Sequence, residues 1–199
     1  MPQETAAVDA NANAGFWKEL DSWKTPVAKE VGPTVEVGNK APWSQHLRLP
    51  DGKPTLVVFL LAEKTFRALA DLSDKAPGVH CVAISHSSEE ATDKWLPLVG
   101  GTWDVDVVID QERDLYAKWG LGISSTWHAV NPLTLWNLFS LGKNEGIWNR
   151  PTESGSRWQM SGAFAVDRDG TIRWAHVART ADDMPDLNAA MTALGHPPP

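Results

Sequence analysis

The chain has 199 residues, a formal net charge of −7 and a hydrophobic fraction of 42%. This length suits one globular domain with a core of its own, and no apolar run approaches the roughly 20 residues of a membrane helix. The basic residues are scattered, which argues against nucleic acid as a partner because phosphate binding needs clustered Lys and Arg.

The N-terminal residues predict a flexible tail and a helical extension. Residues 1–15 are rich in Ala and Asn and carry no basic start followed by an apolar stretch, so we expect a tail without a secretory signal. Over residues 16–31, apolar side chains recur at three- and four-residue spacing, which predicts an amphipathic helix that Pro26 kinks or divides. Residues 33–50 are expected to be extended and rich in turns.

Two strand–helix pairs follow. Residues 54–60 and 79–85 are continuous apolar runs of strand length, typical of strands buried on both faces of a parallel sheet. A helix is predicted over residues 62–73. A second helix is expected to start in the run Ser87-Ser88-Glu89-Glu90, where a hydroxyl cap and early carboxylates satisfy free N–H groups, and to run to about Val99. This succession implies two parallel strands joined by a right-handed crossover.

A long insertion is predicted in the second half of the chain. A short strand at residues 105–109 and a helix at 111–119 precede residues 120–158, which show little periodicity apart from one helix at 132–141. Long insertions of this kind are often functional.

A hairpin and a helix complete the predicted elements. Residues 163–166 and 171–177 flank a turn in which Gly170 supplies the positive φ. A helix over residues 184–194 follows, and Asp182–Asp183 is expected at its start, where carboxylates favour the helix dipole.

The order of elements is therefore βαβ, an insertion and ββα, which is the core of an α/β, thioredoxin-like fold. We expect residues 16–195 to form a single domain of this class, with the N-terminal helix and the Trp-rich insertion as additions. Residues 196–199 are expected to be frayed.

Several stretches of the chain also resemble a known family. Over roughly residues 35–195 the chain is similar to the peroxiredoxin-like AhpC/TSA proteins, an antioxidant thiol-peroxidase lineage of oxidoreductases with a thioredoxin fold. The similarity lies in VVFL at 57–60, VAISHSS at 82–88, ERDLYAKWGLG at 112–122, WNRPTESGSRWQ at 148–159 and GAFAVDRDGTIRW at 162–174.

The chain departs from that family where the first core strand meets its helix. The family commonly has a turn there of the form Arg-His-x-Gly-Cys-Pro-Phe, whose cysteine at the helix N-terminus becomes a thiolate and attacks peroxide. Residues 59–66 read FLLAEKTF, with no Gly, Pro or Cys. We therefore expect a chain inactive as a peroxidase. Because a buried strand normally needs a few residues to turn into its helix, we also expect the first turn of the helix predicted at 62–73 to unwind. Residues 62–64 would then be non-helical and the helix would begin near Thr65.

The chain has one cysteine, Cys81, which excludes an intrachain disulfide and fits a reducing, cytoplasmic location. It lies in the middle of the second apolar strand, where burial raises the pKa of a thiol and lowers its reactivity. Cys81 is therefore expected to be a core residue, with catalysis as the alternative.

Three residues are candidates for catalysis. His86 follows the second strand, at the edge where open α/β sheets bind ligands, although a helix cap or a solvated side chain fits equally. His128 lies in the insertion. Arg157 precedes the third core strand, near where the family resemblance implies a peroxide-orienting arginine; the alternatives are an ion pair with Glu153 or stacking on Trp158. The histidines have no metal-ligand spacing, so neither a metal nor a cofactor is expected.

The tryptophans suggest a second function. Five of the 11 fall within residues 119–158: Trp119, Trp127, Trp136, Trp148 and Trp158. Partly exposed aromatic rings commonly mark ligand or partner sites. Trp127, His128, Arg157 and Trp158 would then form a non-redox site for a small apolar or peroxide-like ligand, or a contact within a homodimer. The alternative is that all five rings belong to the core.

Overall fold

The computed structural model describes residues 26–43, 47, 52–60, 63–124, 154–156, 158–180 and 183–196. The elements, in chain order, are β1 (Thr55–Phe59), α1 (Glu63–Lys75), β2 (His80–Ser85), α2 (Glu89–Trp95), a 3₁₀ helix (Leu96–Val99), β3 (Val105–Ile109), α3 (Asp114–Lys118), β4 (Gly162–Val166), β5 (Ile172–Val177) and α4 (Leu187–Ala193).

The five strands form one mixed sheet in the order β3-β2-β1-β4-β5. Strands β1, β2 and β3 are parallel, whereas β4 is antiparallel to both β1 and β5. In the centre of the sheet, Val57 of β1 pairs with Val82 on one side and Phe164 on the other. The predicted βαβ and ββα halves are therefore joined through β1, and the α/β, thioredoxin-like architecture is confirmed.

Both faces of the sheet are covered, as the continuous apolar strands predict. Leu56 and Val58 of β1 face a cluster that includes Phe66 of α1 and Met191 of α4. The alternate β1 residues lie on the opposite face, among the side chains Leu47, Tyr116, Trp119, Phe164 and Ile172. Every residue of β1 is buried, so polar function is confined to the edges of the sheet.

Two local predictions are confirmed by the hydrogen bonds around them. The hydroxyl of Ser88 accepts the N–H of Ala91 and caps α2. The hairpin between β4 and β5 turns at Gly170, whose φ is 75°, and the Asp167 carboxylate accepts the N–H of Thr171. The helix predicted up to Val99 tightens to a 3₁₀ turn from Leu96, because Pro97 cannot donate a backbone bond.

The predicted N-terminal helix is wrong for its last six residues. Residues 26–31 have no helical structure, and the first 25 residues lie outside those described. Pro26 fixes its own φ and lacks an N–H, which favours a break at this position. Residues 26–36 form no regular element, and the N–H of Gly32 donates to the carbonyl of Ala117 at the end of α3.

The starts of three helices also differ from prediction. Helix α3 begins at Asp114 rather than at residue 111, directly after Arg113, which has a left-handed backbone conformation. Helix α1 begins at Glu63, so Thr65 is not its cap but a buried residue of the first turn, with its hydroxyl donated to the sulfur of Met184. Leu61 and Ala62 lie outside the described residues. Helix α4 is capped by Asp186, whereas Asp183 accepts the N–H of Arg179 within the preceding loop.

Most of the insertion lies outside the described residues. This holds for Trp127, His128, Trp136, Trp148, Arg157 and the helix predicted at 132–141. Within the described part of the chain, no helix is long and apolar enough to span a bilayer.

Candidate functional site

The carboxyl ends of β1 and β2 meet α3 at one edge of the sheet. The N–H of Leu60 donates to the carbonyl of Ile84 at 2.9 Å, so the two strands stay paired to the last residue before the β1–α1 joint. His86 follows β2 directly, and Tyr116 of α3 lies beneath it. Ligands bind at this kind of edge in open α/β sheets, so these strand ends form the candidate site.

Tyr116 connects the ends of β1 and β2 through its hydroxyl group. Its ring is fully buried and packs edge-on against Phe59, and its hydroxyl lies 2.9 Å from the carbonyl oxygen of Ile84 and 3.1 Å from that of Leu60. Burial raises the pKa of Tyr116 well above 10, so the hydroxyl keeps its proton. A hydroxyl has a single proton, which the two carbonyls must share.

His86 connects this centre to the segment before β4. Its Nε2 atom lies 3.1 Å from the carbonyl oxygen of Ser156, and its Nδ1 atom lies 3.4 Å from the Tyr116 hydroxyl. Burial lowers the pKa of His86 to about 4, although the Ser156 carbonyl opposes the shift and Arg113 adds to it. The imidazole is therefore neutral at pH 7. Because a carbonyl only accepts, the proton is on Nε2 and the lone pair is on Nδ1.

Two serines reinforce the contact that His86 makes. The hydroxyl of Ser87 donates to the carbonyl of Ser154 at 3.2 Å, and the N–H of Ser88 donates to the Ser154 hydroxyl at 2.8 Å. Gly155, between Ser154 and Ser156 in the chain, has a φ of 89°. A Cβ at this position would come within 3.0 Å of the His86 ring. We call residues 86–88 and 154–156 together the clasp.

Asp110 follows β3 at the same edge of the sheet, and its side chain caps α3. Its buried carboxylate accepts the backbone N–H groups of Asp114, Leu115 and Tyr116 at 2.8 to 3.1 Å, which satisfies the free donors of the first turn of α3. Burial raises the pKa of Asp110, and these three donors oppose the rise. Sequence reasoning missed both Asp110 and Tyr116. The one local sign was a carboxylate just ahead of a short helical run.

The described ends of the insertion are bound to each other beside the clasp. The N–H of Ser124 donates to the carbonyl of Trp158 at 2.7 Å, and the N–H of Met160 donates to that of Gly122. The Gln159 amide reaches the carbonyls of Leu121 and Gly122, both at 3.0 Å. The insertion therefore leaves and rejoins the fold at one place.

Of the five clustered tryptophans, the described two are buried. Trp119 has no exposed surface and packs against Phe59 and Phe164. Trp158 is 8% exposed. Both neighbours of Arg157 in the chain, Ser156 and Trp158, are thus buried within the described structure. Whether Trp158 also contacts a ligand stays a prediction.

The family model described as AhpC/TSA antioxidant enzyme matches residues 65–180, more than half of the chain. The chain belongs to the AhpC/TSA family.

Solved structures agree with the family in fold. A peroxiredoxin-like protein from Aquifex aeolicus is 11% identical, with 83% of this chain and 90% of that chain covered at a TM-score of 0.58. A thiol peroxidase from Chromobacterium violaceum is 14% identical, covering 87% and 94%, at 0.53. A mutant of the peroxiredoxin 6 of Arenicola marina is 11% identical, covering 80% and 72%, at 0.55. No curated protein matches the chain significantly.

The one cysteine of this AhpC/TSA chain lies in the core of the fold rather than at the edge that carries the clasp. Cys81 is fully buried near the start of β2, on the face that packs against α1. Cys81 precedes Ser85, at the clasp end of β2, by four positions, which corresponds to about 13 Å along the strand. Burial raises the pKa of the Cys81 thiol to about 12, and the charge of Asp104 adds to this. The described residues include no cluster of three metal-binding side chains.

Proposed function

We propose that this AhpC/TSA chain has no thiol-peroxidase activity and is a non-redox member of an antioxidant oxidoreductase lineage. The observation that carries the proposal is the burial of Cys81, the one cysteine in the sequence. Peroxide reduction needs a thiolate in contact with the peroxide oxygen. With a pKa of about 12, only about one thiol in 100,000 is ionised at pH 7.

The sequence between β1 and α1 supports the same proposal. Strand β1 ends at Phe59 and α1 begins at Glu63, so three residues lie between them: Leu60, Leu61 and Ala62. None of the three has a nucleophilic side chain. An in-frame segment encoding a cysteine at this joint in the genomic sequence would return the chain to the active branch of the family.

The test is hydroperoxide consumption with a dithiol reductant. We expect the parent chain to remove hydrogen peroxide and cumene hydroperoxide no faster than its Cys81→Ser variant, with the loss of both peroxides at the background rate. Turnover by the parent that disappears in Cys81→Ser would overturn the proposal and identify Cys81 as a nucleophile.

A second candidate function is binding through the insertion at 120–158. The observation that favours it is the joining of the insertion ends at Ser124 and Trp158, beside the clasp and at the ligand-binding edge of the sheet. We propose that Trp127, His128, Arg157 and Trp158 take a small apolar or peroxide-like ligand there, or contact a second copy of the chain.

Tryptophan fluorescence separates these possibilities. Cumyl alcohol, which has the shape of the peroxide but cannot be reduced by a thiol, is the probe. We expect a saturable change in the parent emission that is lost when Trp127 and Trp158 are both replaced by Phe. Replacement of Trp103 by Phe, outside the insertion, is the control. A parent whose emission responds to neither the probe nor protein concentration would refute this second function.

A further inference from the structure

Strand β3 is an outer strand of the described sheet. Strand β3 pairs with β2 on one side and with none of the described strands on the other. The N–H of Asp110 donates to the carbonyl of Ser85, so even-numbered residues direct their backbone groups toward β2. By the two-residue alternation of a strand, Val107 and Ile109 direct theirs outward. None of the described residues accepts or donates a hydrogen bond there.

A strained and exposed tryptophan precedes this edge. Trp103 has a φ of 49°, which is rare and costly for a bulky side chain. Its ring lies over Gly100, where a Cβ would come within 2.5 Å of it, yet half of the residue is exposed. Leu98 in the preceding 3₁₀ helix is 56% exposed. Backbone strain that holds a large apolar ring in solvent suggests a binding role rather than a packing role.

The negative charge along the β3 edge favours a basic partner. Asp104, Asp106 and Glu112 are all exposed, and between Trp103 and Glu112 the sequence has no basic residue. Asp106 already contacts Nε2 of His80 on β2 at 2.7 Å, so Asp104 and Glu112 are the main acidic groups offered to a partner. Two copies of β3 paired antiparallel about Val107 would bring the exposed carboxylates of both copies to one interface. Like charges along that interface disfavour a second copy. A lysine- or arginine-rich strand would instead meet carboxylates and the free face of the Trp103 ring.

We propose that the β3 edge is a docking site for an extended, basic segment of a partner protein, which adds to the sheet as a sixth strand beside β3. The backbone of Val107 and Ile109 would supply the main-chain bonds, and Trp103 with the exposed carboxylates would supply specificity. This proposal is independent of the peroxidase question and of the insertion. It competes with one other explanation, that the carboxylates only keep the edge from aggregating.

The test uses a fluorescein-labelled ten-residue peptide of alternating lysine and threonine, with a glutamate–threonine peptide as the matched control. We expect the lysine peptide alone to raise fluorescence anisotropy on binding, more weakly as salt increases. Val107→Pro removes one outward N–H without touching the bonds to β2, and it should weaken binding by about tenfold or more, since one main-chain bond and the strand fit are lost. Val107→Thr keeps that N–H and should bind like the parent.

A second variant guards against misfolding. Glycine suits the positive φ of residue 103, so Trp103→Gly removes the ring without adding backbone strain and should still weaken binding. The proposal fails if the lysine peptide does not bind the parent, if the glutamate peptide binds equally, or if neither folded variant weakens binding. It also fails if sedimentation shows a dimer that Val107→Pro abolishes, because a second copy would then occupy the edge.

Discussion

The Nε2 atom of His86 donates its proton to the carbonyl oxygen of Ser156, 3.1 Å away and 70 residues along the chain. This bond connects the end of β2 to the segment that leads through residue 157 into β4. Its geometry fixes the neutral tautomer of the imidazole, because the carbonyl has only lone pairs to offer. His86 is therefore first a clasp residue that holds Ser156 against the end of β2, and any role in binding would depend on that neutral state.

The first prediction concerns pH. The pKa of His86 is lowered from 6.5 to about 4 in the folded chain, so below pH 6.5 the unfolded chain takes up a proton that the folded chain does not. The free energy of unfolding should fall from pH 6.5 to pH 4 by at most about 3 kcal/mol on this account. Above pH 6.5 this contribution is fully present, and below pH 4 its loss is complete.

The control is His86→Gln, whose side-chain amide can still donate to Ser156 but does not titrate. Urea unfolding at pH 7.5, 6, 5 and 4 should give a shallower pH dependence in the variant than in the parent, since all other groups are common to both. Parallel curves for the two proteins would show that His86 titrates as freely in the folded chain as in the unfolded one.

The second prediction concerns the Tyr116 hydroxyl. Tyr116→Phe removes the one donor to the Leu60 carbonyl among the described residues, whereas the Ile84 carbonyl keeps the N–H of Leu60. We expect a loss of about 1–2 kcal/mol in the free energy of unfolding, because one buried acceptor is left without a partner. Amide hydrogen exchange should also quicken at the end of β1 and stay unchanged in β5. An unchanged urea midpoint would contradict this account.

Much of the fold follows from local sequence, whereas the site does not. The apolar runs at 54–60 and 79–85 predicted β1 and β2 because a strand buried on both faces must be apolar throughout. The helix start at Glu63 was missed because Thr65 carries a good capping hydroxyl, and only the contact with Met184 on a distant loop reveals that this hydroxyl is used otherwise.

The clasp could be anticipated only in part. His86 was singled out because it follows a buried strand, which is a local pattern. Its partners Tyr116 and Ser156 were not, since no sequence spacing relates them to His86. The same limit applies to Asp110, whose role depends on how α3 turns back over the end of β3. The candidate residues Trp127, His128 and Arg157 lie outside the described residues and stay predictions.

The third prediction concerns Cys81. Its burial and its pKa of about 12 mean that iodoacetamide should label it only when the sheet opens, because alkylation requires an accessible thiolate. At pH 8 we expect labelling over hours in the native chain and within minutes in 6 M guanidinium chloride. Mass spectrometry of the alkylated protein measures both rates. Rapid native labelling with a thiol pKa below that of free cysteine would contradict the assignment of Cys81 to the core.

The last prediction concerns how the extended N-terminal segment is held against the start of the insertion. Gly120 and Gly195 have nearly the same backbone conformation, with φ values of 75° and 76°. A Cβ at Gly120 would lie 2.6 Å from the Cα of Thr34 and 2.9 Å from the carbonyl oxygen of Pro33, whereas a Cβ at Gly195 would meet nothing within 4 Å. Alanine at either position thus meets the same backbone penalty, of about 1 kcal/mol. Only Gly120→Ala must also displace the backbone of residues 33–34, which should cost about 1–3 kcal/mol more in the free energy of unfolding.

Urea unfolding of the two variants gives the difference directly, provided their m-values agree. Equal losses would mean that residues 33–34 move aside freely, and the segment before β1 would then not help to hold Trp119 and the base of the insertion in place.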